Sequence, residues 1–204
     1  MAPFQYAVGI KGGLDLITHT VQAAIDRHLS SSTPTRAILQ LDFTNMFNCV
    51  SRDKARKFLQ RKFPCLLPFF DTLYSKENLF WFRSGDAWSS LPQWEGFPQG
   101  CPLSPLFAAI VLHDLLDELQ TALDARLRSC PDSPIPYADD NDHTINLAYL
   151  DDVSAIVPLR ELLFYVQLLT DLGPDYGCHL NYSKSVILIS TTGSLPTLSP
   201  ADST

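Results

Sequence analysis

The sequence predicts a mixed α and β fold, in which one layer of sheet is backed by helices, and three observations lead to this class. Segments with helical spacing of apolar residues alternate along the chain with apolar runs of strand length. No internal repeat or low-complexity block indicates a repeat architecture. The 204 residues are 46% hydrophobic and 18% charged, so the chain is long enough to bury one sizeable core.

The first predicted elements are two helices with a strand between them. After Gly12-Gly13, apolar residues keep helical spacing as far as Leu29 and predict an amphipathic helix. The segment from Arg36 to Phe43 alternates like a largely buried strand, which would present Asp42 at its carboxyl end. A short capped helix is predicted over 51–63. We interpret its basic residues as a solvated face: Lys54, Arg56, Lys57, Arg61 and Lys62.

A hairpin is predicted in the middle of the chain. Leu79 to Arg83 and Ala87 to Gln93 flank Ser84-Gly85-Asp86, a segment typical of a tight turn. The aromatic run Phe80-Trp81-Phe82 could stack on nucleic-acid bases, although we expect it to lie in the core.

Two further helices and a strand are predicted after this hairpin. Ser104 followed by Pro105 is typical of a helix start, and this helix is expected to reach about Arg128. Its predicted buried stripe comprises Phe107, Val111, Leu115, Leu119, Leu123 and Leu127. A second helix is expected from Leu159 to a stop at Gly173-Pro174, followed by a short strand over 186–189.

Composition argues against several classes of protein. A net charge of −7 and a pI near 5.0 disfavour a generic nucleic-acid binder, since phosphate contacts usually need a basic surface. The five cysteines are scattered without a C-x-x-C pair, so neither a disulfide framework nor a zinc site is indicated. We find no signal peptide and no apolar run near the ~20 residues that cross a bilayer. We therefore expect an intracellular protein, nuclear or cytoplasmic, without membrane contact.

Two adjacent carboxylates in the stretch from Asn146 to Pro158 predict a metal site. Asp151 and Asp152 lie between two apolar runs of strand length, a pattern typical of a buried hairpin with both acids at its tight turn. Without compensation, one of two neighbouring buried acids would keep its proton, so a bound divalent cation best explains the pair.

A third carboxylate joins this site if the strand that ends at Asp42 lies beside the hairpin. Three acids can hold two metal ions, and oxygen ligands favour Mg²⁺, or Mn²⁺, over softer metals. Two such ions about 3.5–4 Å apart can stabilise the attacking and leaving oxygens of an in-line phosphoryl displacement. The sequence therefore predicts a two-magnesium phosphoryl-transfer site.

Four segments, in family order, resemble the sequence blocks of reverse transcriptases. Asp42 to Asn48 is similar to their first aspartate block. Gly96 to Pro105 resembles their glycine-glutamine block, in the Q-G-C-P-L-S-P form of non-long-terminal-repeat retrotransposons. Tyr149-Leu150-Asp151-Asp152 matches their Y-x-D-D box, and Gly177 to Ser185 resembles the block that follows. Any one of these motifs alone would be weak evidence for the family, but four motifs in the family order are a specific signal.

A second Y-x-D-D box, Tyr137-Ala138-Asp139-Asp140, precedes the first within a dozen residues. Prolines precede it and polar residues follow it, so it lacks the apolar strands that would bury and aim its acids. Asp151, by contrast, lies 30 residues before Asn181, which leaves room for one helix and a turn. We favour Asp151, while the A-D-D form common in retrotransposon boxes keeps the other copy as an alternative.

The resemblance implies which residues hold the metals. Asp42 and Asp151 would ligate both ions, and Asp152 would assist them. Phe43 would add its backbone carbonyl as a further oxygen ligand.

The resemblance also implies which residues contact nucleotide. Phe47 corresponds to the bulky residue under the incoming sugar that excludes a 2′-hydroxyl, and it could at the same time be a core residue. Gln99 and Gly100 would contact the incoming nucleotide and the template, the glycine allowing close backbone approach. Lys184 would neutralise or protonate the leaving pyrophosphate, although taken alone it is a surface lysine.

The fold implied by the resemblance is an α+β polymerase palm, a ferredoxin-like antiparallel sheet backed by helices, with partial fingers. It would occupy residues 1–190, and we expect a disordered tail at 191–204. Basic fingers residues upstream of the first aspartate block are represented only by Lys11 and Arg36. Since the thumb should follow Ser190, we expect missing flanking thumb and fingers regions.

The function implied is an RNA-directed DNA polymerase of a retroelement, which adds dNTPs to a DNA primer on an RNA template. An alternative is a catalytically silent remnant that acts at most as a nucleoprotein scaffold. A third hypothesis is RNA-templated RNA synthesis, against which the Tyr149 box and Phe47 argue.

Overall fold

The computed structural model describes residues 3–29, 35–129 and 143–190. The second Y-x-D-D box at 137–140 and the predicted tail at 191–204 lie outside the described residues. Within the described ranges the elements follow the predicted order of helix, strand, helices, hairpin, helix, hairpin, helix and strand.

Four helices of the described residues lie close to their predicted positions, and two short ones, over 46–49 and 67–74, have no counterpart in the prediction. The α-helices are α1 (Gly13–Ala24), α2 (Met46–Cys49), α3 (Arg52–Lys62), α4 (Leu67–Tyr74), α5 (Ser104–Ser129) and α6 (Leu162–Tyr176). The predicted cap of α3 is confirmed, because Ser51 Oγ accepts a hydrogen bond of 3.3 Å from the N–H of Lys54. Among these helices, none combines the length and apolarity that a membrane crossing needs.

The shorter helical turns flank three of these helices. A π-helical turn, Ile25–Leu29, extends α1, and 3₁₀ turns at Pro64–Leu66 and Leu159–Glu161 precede α4 and α6.

The strands form one antiparallel sheet and one separate hairpin. They are β1 (Arg36–Leu41), β2 (Asn78–Ser84), β3 (Ala87–Gln93), β4 (Ile145–Tyr149), β5 (Asp152–Pro158) and β6 (Val186–Leu188). The sheet has the order β4-β5-β1-β6, and β2 pairs with β3 alone. The β1–β5 ladder runs from the pair Arg36–Pro158 to the pair Leu41–Val153. The predicted α+β class, an antiparallel sheet with helices, is confirmed.

Both faces of this sheet are covered, which explains why β1 is nearly continuously apolar. Leu39 and Leu41 face the main core, which helices α3 to α6 complete. Ile38 points to the other face, where it packs with Ile156 of β5 and Ala24 of α1. A strand that is buried on both faces loses the alternation typical of a half-exposed one.

The long helix α5 contributes the predicted stripe to the main core. Phe107, Val111, Leu115, Leu119 and Leu123 are each no more than 1% exposed. The side chain of the sixth residue of this stripe, Leu127, lies outside the described part. The start predicted at Ser104 is confirmed, and Ser104 Oγ donates a 2.6 Å hydrogen bond to the carbonyl of Pro98.

A buried polar chain joins β4 to α5 and α6. The hydroxyl of the fully buried Tyr165 donates a 2.7 Å hydrogen bond to Asn146 Oδ1. Asn146 Nδ2 in turn donates to Gln120 Oε1 over 3.2 Å. Burial raises the pKa of Tyr165, so its hydroxyl stays protonated and able to donate.

The predicted end of the last helix at Gly173-Pro174 is wrong. Helix α6 continues through both residues and ends at Tyr176. Gly177 follows with a φ of 70°, and the N–H groups of Gly177 and Cys178 donate to the carbonyls of Pro174 and Gly173. This is a glycine cap, and a proline in the last turn costs the helix only one hydrogen bond.

The predicted burial of the aromatic run in β2 is also wrong. Phe80, Trp81 and Phe82 are all exposed, Trp81 by 63%, and Trp88 on β3 is exposed by 68%. Within the described residues these two strands pair only with each other, and most side chains on both faces of the ribbon are exposed, so no further layer covers it. Strand propensity correctly predicted the hairpin, but it contains no information on what lies against it.

Candidate active site

The strand register brings the predicted acids to one end of the sheet. Leu41 and Val153 form the last pair between β1 and β5, and Asp42 and Asp152 are the residues adjoining that pair. Tyr149 and Asp152 are the closing pair of the β4–β5 hairpin, so Leu150 and Asp151 form its two-residue turn. Asp42 therefore ends its strand beside the turn that contains Asp151, as the sequence predicted.

Asp152 is influenced by the charges of the other two carboxylates. Partial burial first, and then the charges of Asp151 and Asp42, raise the pKa of Asp152 above its usual range. The negative charges of the carboxylates repel one another, and a divalent cation bound between them would offset that repulsion.

The carboxylates at this site are the type of ligand that magnesium prefers, but they are not arranged as a coordination shell. Carboxylate oxygens are the ligands that Mg²⁺ and Mn²⁺ prefer. In the described ranges, however, no three or more His, Cys, Asp or Glu side chains lie close enough together to form a metal site. The acids are thus brought to neighbouring strand ends without being gathered into a coordination shell.

The end of β1 is held by the block that follows α6. The N–H of Asp42 donates to Ser185 Oγ over 3.1 Å, and the carbonyl of Asp42 accepts from the N–H of Asn181 over 2.8 Å. Phe43, which is buried, forms an antiparallel bridge with Leu180. Lys184 lies in the exposed turn between this bridge and β6. The first aspartate block and the Lys184 block are therefore adjacent.

The glycine-glutamine block docks on α2 through its backbone. The N–H of Phe97 donates to the carbonyl of Phe47 over 2.6 Å, and the N–H of Gly96 donates to the carbonyl of Val50 over 2.9 Å. A Cβ on Gly96 would lie 2.2 Å from the carbonyl carbon of Asn48. Gln99 and Gly100, further along this block, are both exposed.

Phe47 is half-buried, which is compatible both with a core residue and with a residue that packs under an incoming sugar. It belongs to α2, and it packs against the main core while part of the ring remains accessible. Its carbonyl is one of the two acceptors that anchor the glycine-glutamine block, the other being that of Val50.

The basic face of α3 is exposed but largely paired with acids. Arg56 forms a two-point contact with Asp71, at 2.8 and 2.9 Å. Arg61 binds Asp114 at 2.7 Å, and Lys57 binds Asp53 at 2.6 Å. Arg36, expected as a fingers residue, is buried and donates to the carbonyl of His143.

Gln5 touches the turn of the Y-x-D-D box and has no assigned role in the sequence-based prediction. It is completely buried, and its side-chain amide makes two hydrogen bonds to the backbone of Leu150. No sequence signal points to it, since a single glutamine in an aperiodic segment, 145 residues from its partner, matches no motif.

Solved structures of telomerases have a fold similar to this chain. Telomerase from Candida albicans, in complex with a TWJ fragment of telomeric RNA, matches with a TM-score of 0.59 and 14% identity, over 88% of this chain and 31% of that one. Telomerase from Candida tropicalis, truncated from its C-terminal domain, matches with a TM-score of 0.56 and 14% identity, over 93% of this chain and 37% of that one. The chain thus spans about a third of the length of these proteins.

Sequence comparison identifies the family. No curated protein sequence matches the chain significantly. Residues 10–196, however, match the family described as reverse transcriptase (RNA-dependent DNA polymerase). This range includes all four sequence blocks and both β1 and the β4–β5 hairpin. The chain therefore belongs to the reverse transcriptase family.

Proposed function

We propose that this chain provides the catalytic palm of an RNA-directed DNA polymerase from a non-long-terminal-repeat retroelement. The supporting observation is the register that places Asp42 beside the Asp151-Asp152 turn, within a domain of this family. The Q-G-C-P-L-S-P form of the glycine-glutamine block favours a retroelement source. Its partners would be an RNA template, a DNA primer, dNTPs and flanking thumb and fingers regions of a longer polymerase.

Asp42, Asp151 and Asp152 would hold two magnesium ions, with the carbonyl of Phe43 as a further ligand. Members of this family use divalent metals, which supply stabilisation of the attacking and leaving oxygens during nucleotidyl transfer. The acids position the primer end and the triphosphate against each other. The β1–β5 ladder holds Asp42 and Asp152 at neighbouring strand ends, and the β4–β5 turn presents Asp151 beside them.

The remaining site residues would select and release the nucleotide. Phe47 would pack under the sugar and exclude a 2′-hydroxyl, while Gln99 and Gly100 contact the base pair and the template backbone. Lys184, on its exposed turn, would donate a proton or positive charge to the departing pyrophosphate.

One observation favours the silent scaffold as a second candidate. Arg56 and Arg61 of α3 are bound by carboxylates, and the whole chain has a net charge of −7. Such a surface attracts a phosphate backbone weakly, so a palm without basic neighbours would hold template and primer poorly.

Primer extension decides between the two candidates. With an RNA template, an annealed DNA primer, dNTPs and Mg²⁺, we expect template-directed extension at low salt, where phosphate contacts are strongest. Chelation should abolish extension, and added Mn²⁺ should restore it. No extension at any salt concentration, with the folded protein bound to template and primer, would favour the scaffold.

Replacing Phe47 by Ala should relax sugar selectivity. Removal of the ring opens space for a 2′-hydroxyl, so we expect NTP incorporation relative to dNTP to rise by about 10- to 100-fold. Phe47→Tyr retains the bulk and should retain the selectivity of the wild type. An unchanged NTP to dNTP ratio in Phe47→Ala would show that the ring serves only the core.

A further inference from the structure

The side chain of Gln5 is bound to the backbone of the residue that precedes Asp151. Its Nε2 donates to the carbonyl of Leu150 over 2.7 Å, and its Oε1 accepts from the N–H of Leu150 over 3.2 Å. The side chain is completely shielded from solvent. The two hydrogen bonds hold the two peptide groups on either side of the Leu150 Cα, and because they are made away from competing water they fix the backbone conformation of this residue.

The backbone around Gln5 is itself held against β4. The N–H of Ala148 donates to the carbonyl of Phe4, and the carbonyl of Ala148 accepts from the N–H of Tyr6, both over 2.8 Å. The ring of Phe4 is buried and lies 5.5 Å from the ring of His113 on α5. Gln5 is therefore placed by its neighbours on both sides and does not depend on the turn for its position.

Leu150 has a conformation that requires support. Its φ is 57°, in the left-handed region, which is unfavourable for a residue with a side chain. In a two-residue turn the N–H and carbonyl of Leu150 also lie outside the β4–β5 ladder. A primary amide can donate and accept at the same time, so glutamine satisfies both groups, whereas a carboxylate or a thioether cannot.

We propose that Gln5 is a positioning residue that holds Leu150 in its left-handed conformation and so aims Asp151 and Asp152. It acts through the turn and touches neither metal nor nucleotide. Gln5 precedes residues 10–196, the range that matches the family. The effect on catalysis rests on the proposed polymerase function, and the effect on the turn does not.

Activity is tested with Gln5→Met, which keeps length and removes both hydrogen bonds. Tyr165→Phe is the matched control. It removes one buried hydrogen bond, to Asn146 of β4, at a distance from the turn. At a temperature well below both melting points, we expect Gln5→Met to lower kcat by about 10- to 100-fold with KM for dNTP nearly unchanged. Tyr165→Phe should remain within about twofold of wild type. Equal losses in the two variants, or none in Gln5→Met, would overturn the proposal.

The turn is tested without any activity, by amide hydrogen exchange. In Gln5→Met we expect faster exchange by about tenfold at Leu150 and also at Asp152, whose closing pair with Tyr149 is not touched by Gln5. Amides in the middle of β5 should exchange as in the wild type. Faster exchange at Leu150 alone would overturn the proposal, because it would show that the hydrogen bonds of Gln5 protect only Leu150 and do not order the rest of the turn. If the wild type has no polymerase activity but Gln5→Met still exchanges faster at both Leu150 and Asp152, the polymerase function is refuted and the role of Gln5 in the turn is supported.

Discussion

Replacement of Asp151 by Asn is expected to reduce primer extension by at least about a hundredfold, the scale seen when one preorganised charge-stabilising group is lost. Asn has nearly the same shape, so the hairpin should stay folded. It removes the negative charge that would hold the metals. It also removes one of the two charges that raise the pKa of Asp152, so the fold should be no less stable.

The second Y-x-D-D box offers a matched control for this change. Asp139→Asn makes the same substitution in the same tetrapeptide pattern, twelve residues earlier, and should retain extension within about twofold of wild type. Extension is measured with a fixed primer, template and Mg²⁺ concentration, on proteins of equal melting temperature. Loss of activity in Asp139→Asn together with full activity in Asp151→Asn would move the active site to the earlier box.

Replacement of Gly96 by Ala is expected to destabilise the fold by about 2–5 kcal/mol, from left-handed strain together with overpacking. Gly96 has a φ of 64°, and an added Cβ would lie 2.2 to 2.5 Å from three backbone atoms of Asn48. Backbone cannot rotate away as a side chain can. The glycine-glutamine block would have to separate from α2, which breaks the bonds to Phe47 and Val50 and displaces Gln99.

Gly85→Ala separates the two causes of this destabilisation. Gly85 has a φ of 61°, yet an added Cβ would meet no atom within 4 Å. Its cost should be left-handed strain alone, about 1–2 kcal/mol. The free energy of unfolding is measured for both variants by denaturant titration. Equal costs at the two glycines would mean that the close approach to Asn48 is absent in solution.

The elements that could be predicted from sequence are those whose cause is local. Ser51 caps the first turn of α3, and Ser104 is followed by Pro105 at the start of α5, so both signals lie at the helix starts that they predict. The apolar run before Asp42 predicts that this residue lies at the end of its strand. The β4–β5 hairpin followed from two apolar runs around two acids.

The features that sequence patterns missed depend on distant partners or on environment. The exposure of Trp81 depends on whether another layer covers the ribbon, which no pattern within β2 encodes. The bonds of Gln5 to Leu150 join residues from opposite ends of the domain. At Gly173-Pro174 the stop signals were present, but Gly177 supplied the better cap one turn later.

The bonds that complete the candidate site also determine when during synthesis it can form. Gln5 meets Leu150 across 145 positions of sequence, and Asp42 meets Ser185 across 143. Closing loops of this length is slow, because chain entropy is lost before the contacts compensate for it. On a ribosome the acids would remain poorly aligned until residue 185 had left the exit tunnel. A chain shortened to the family range, beginning at residue 10, would make its turn without the amide of Gln5.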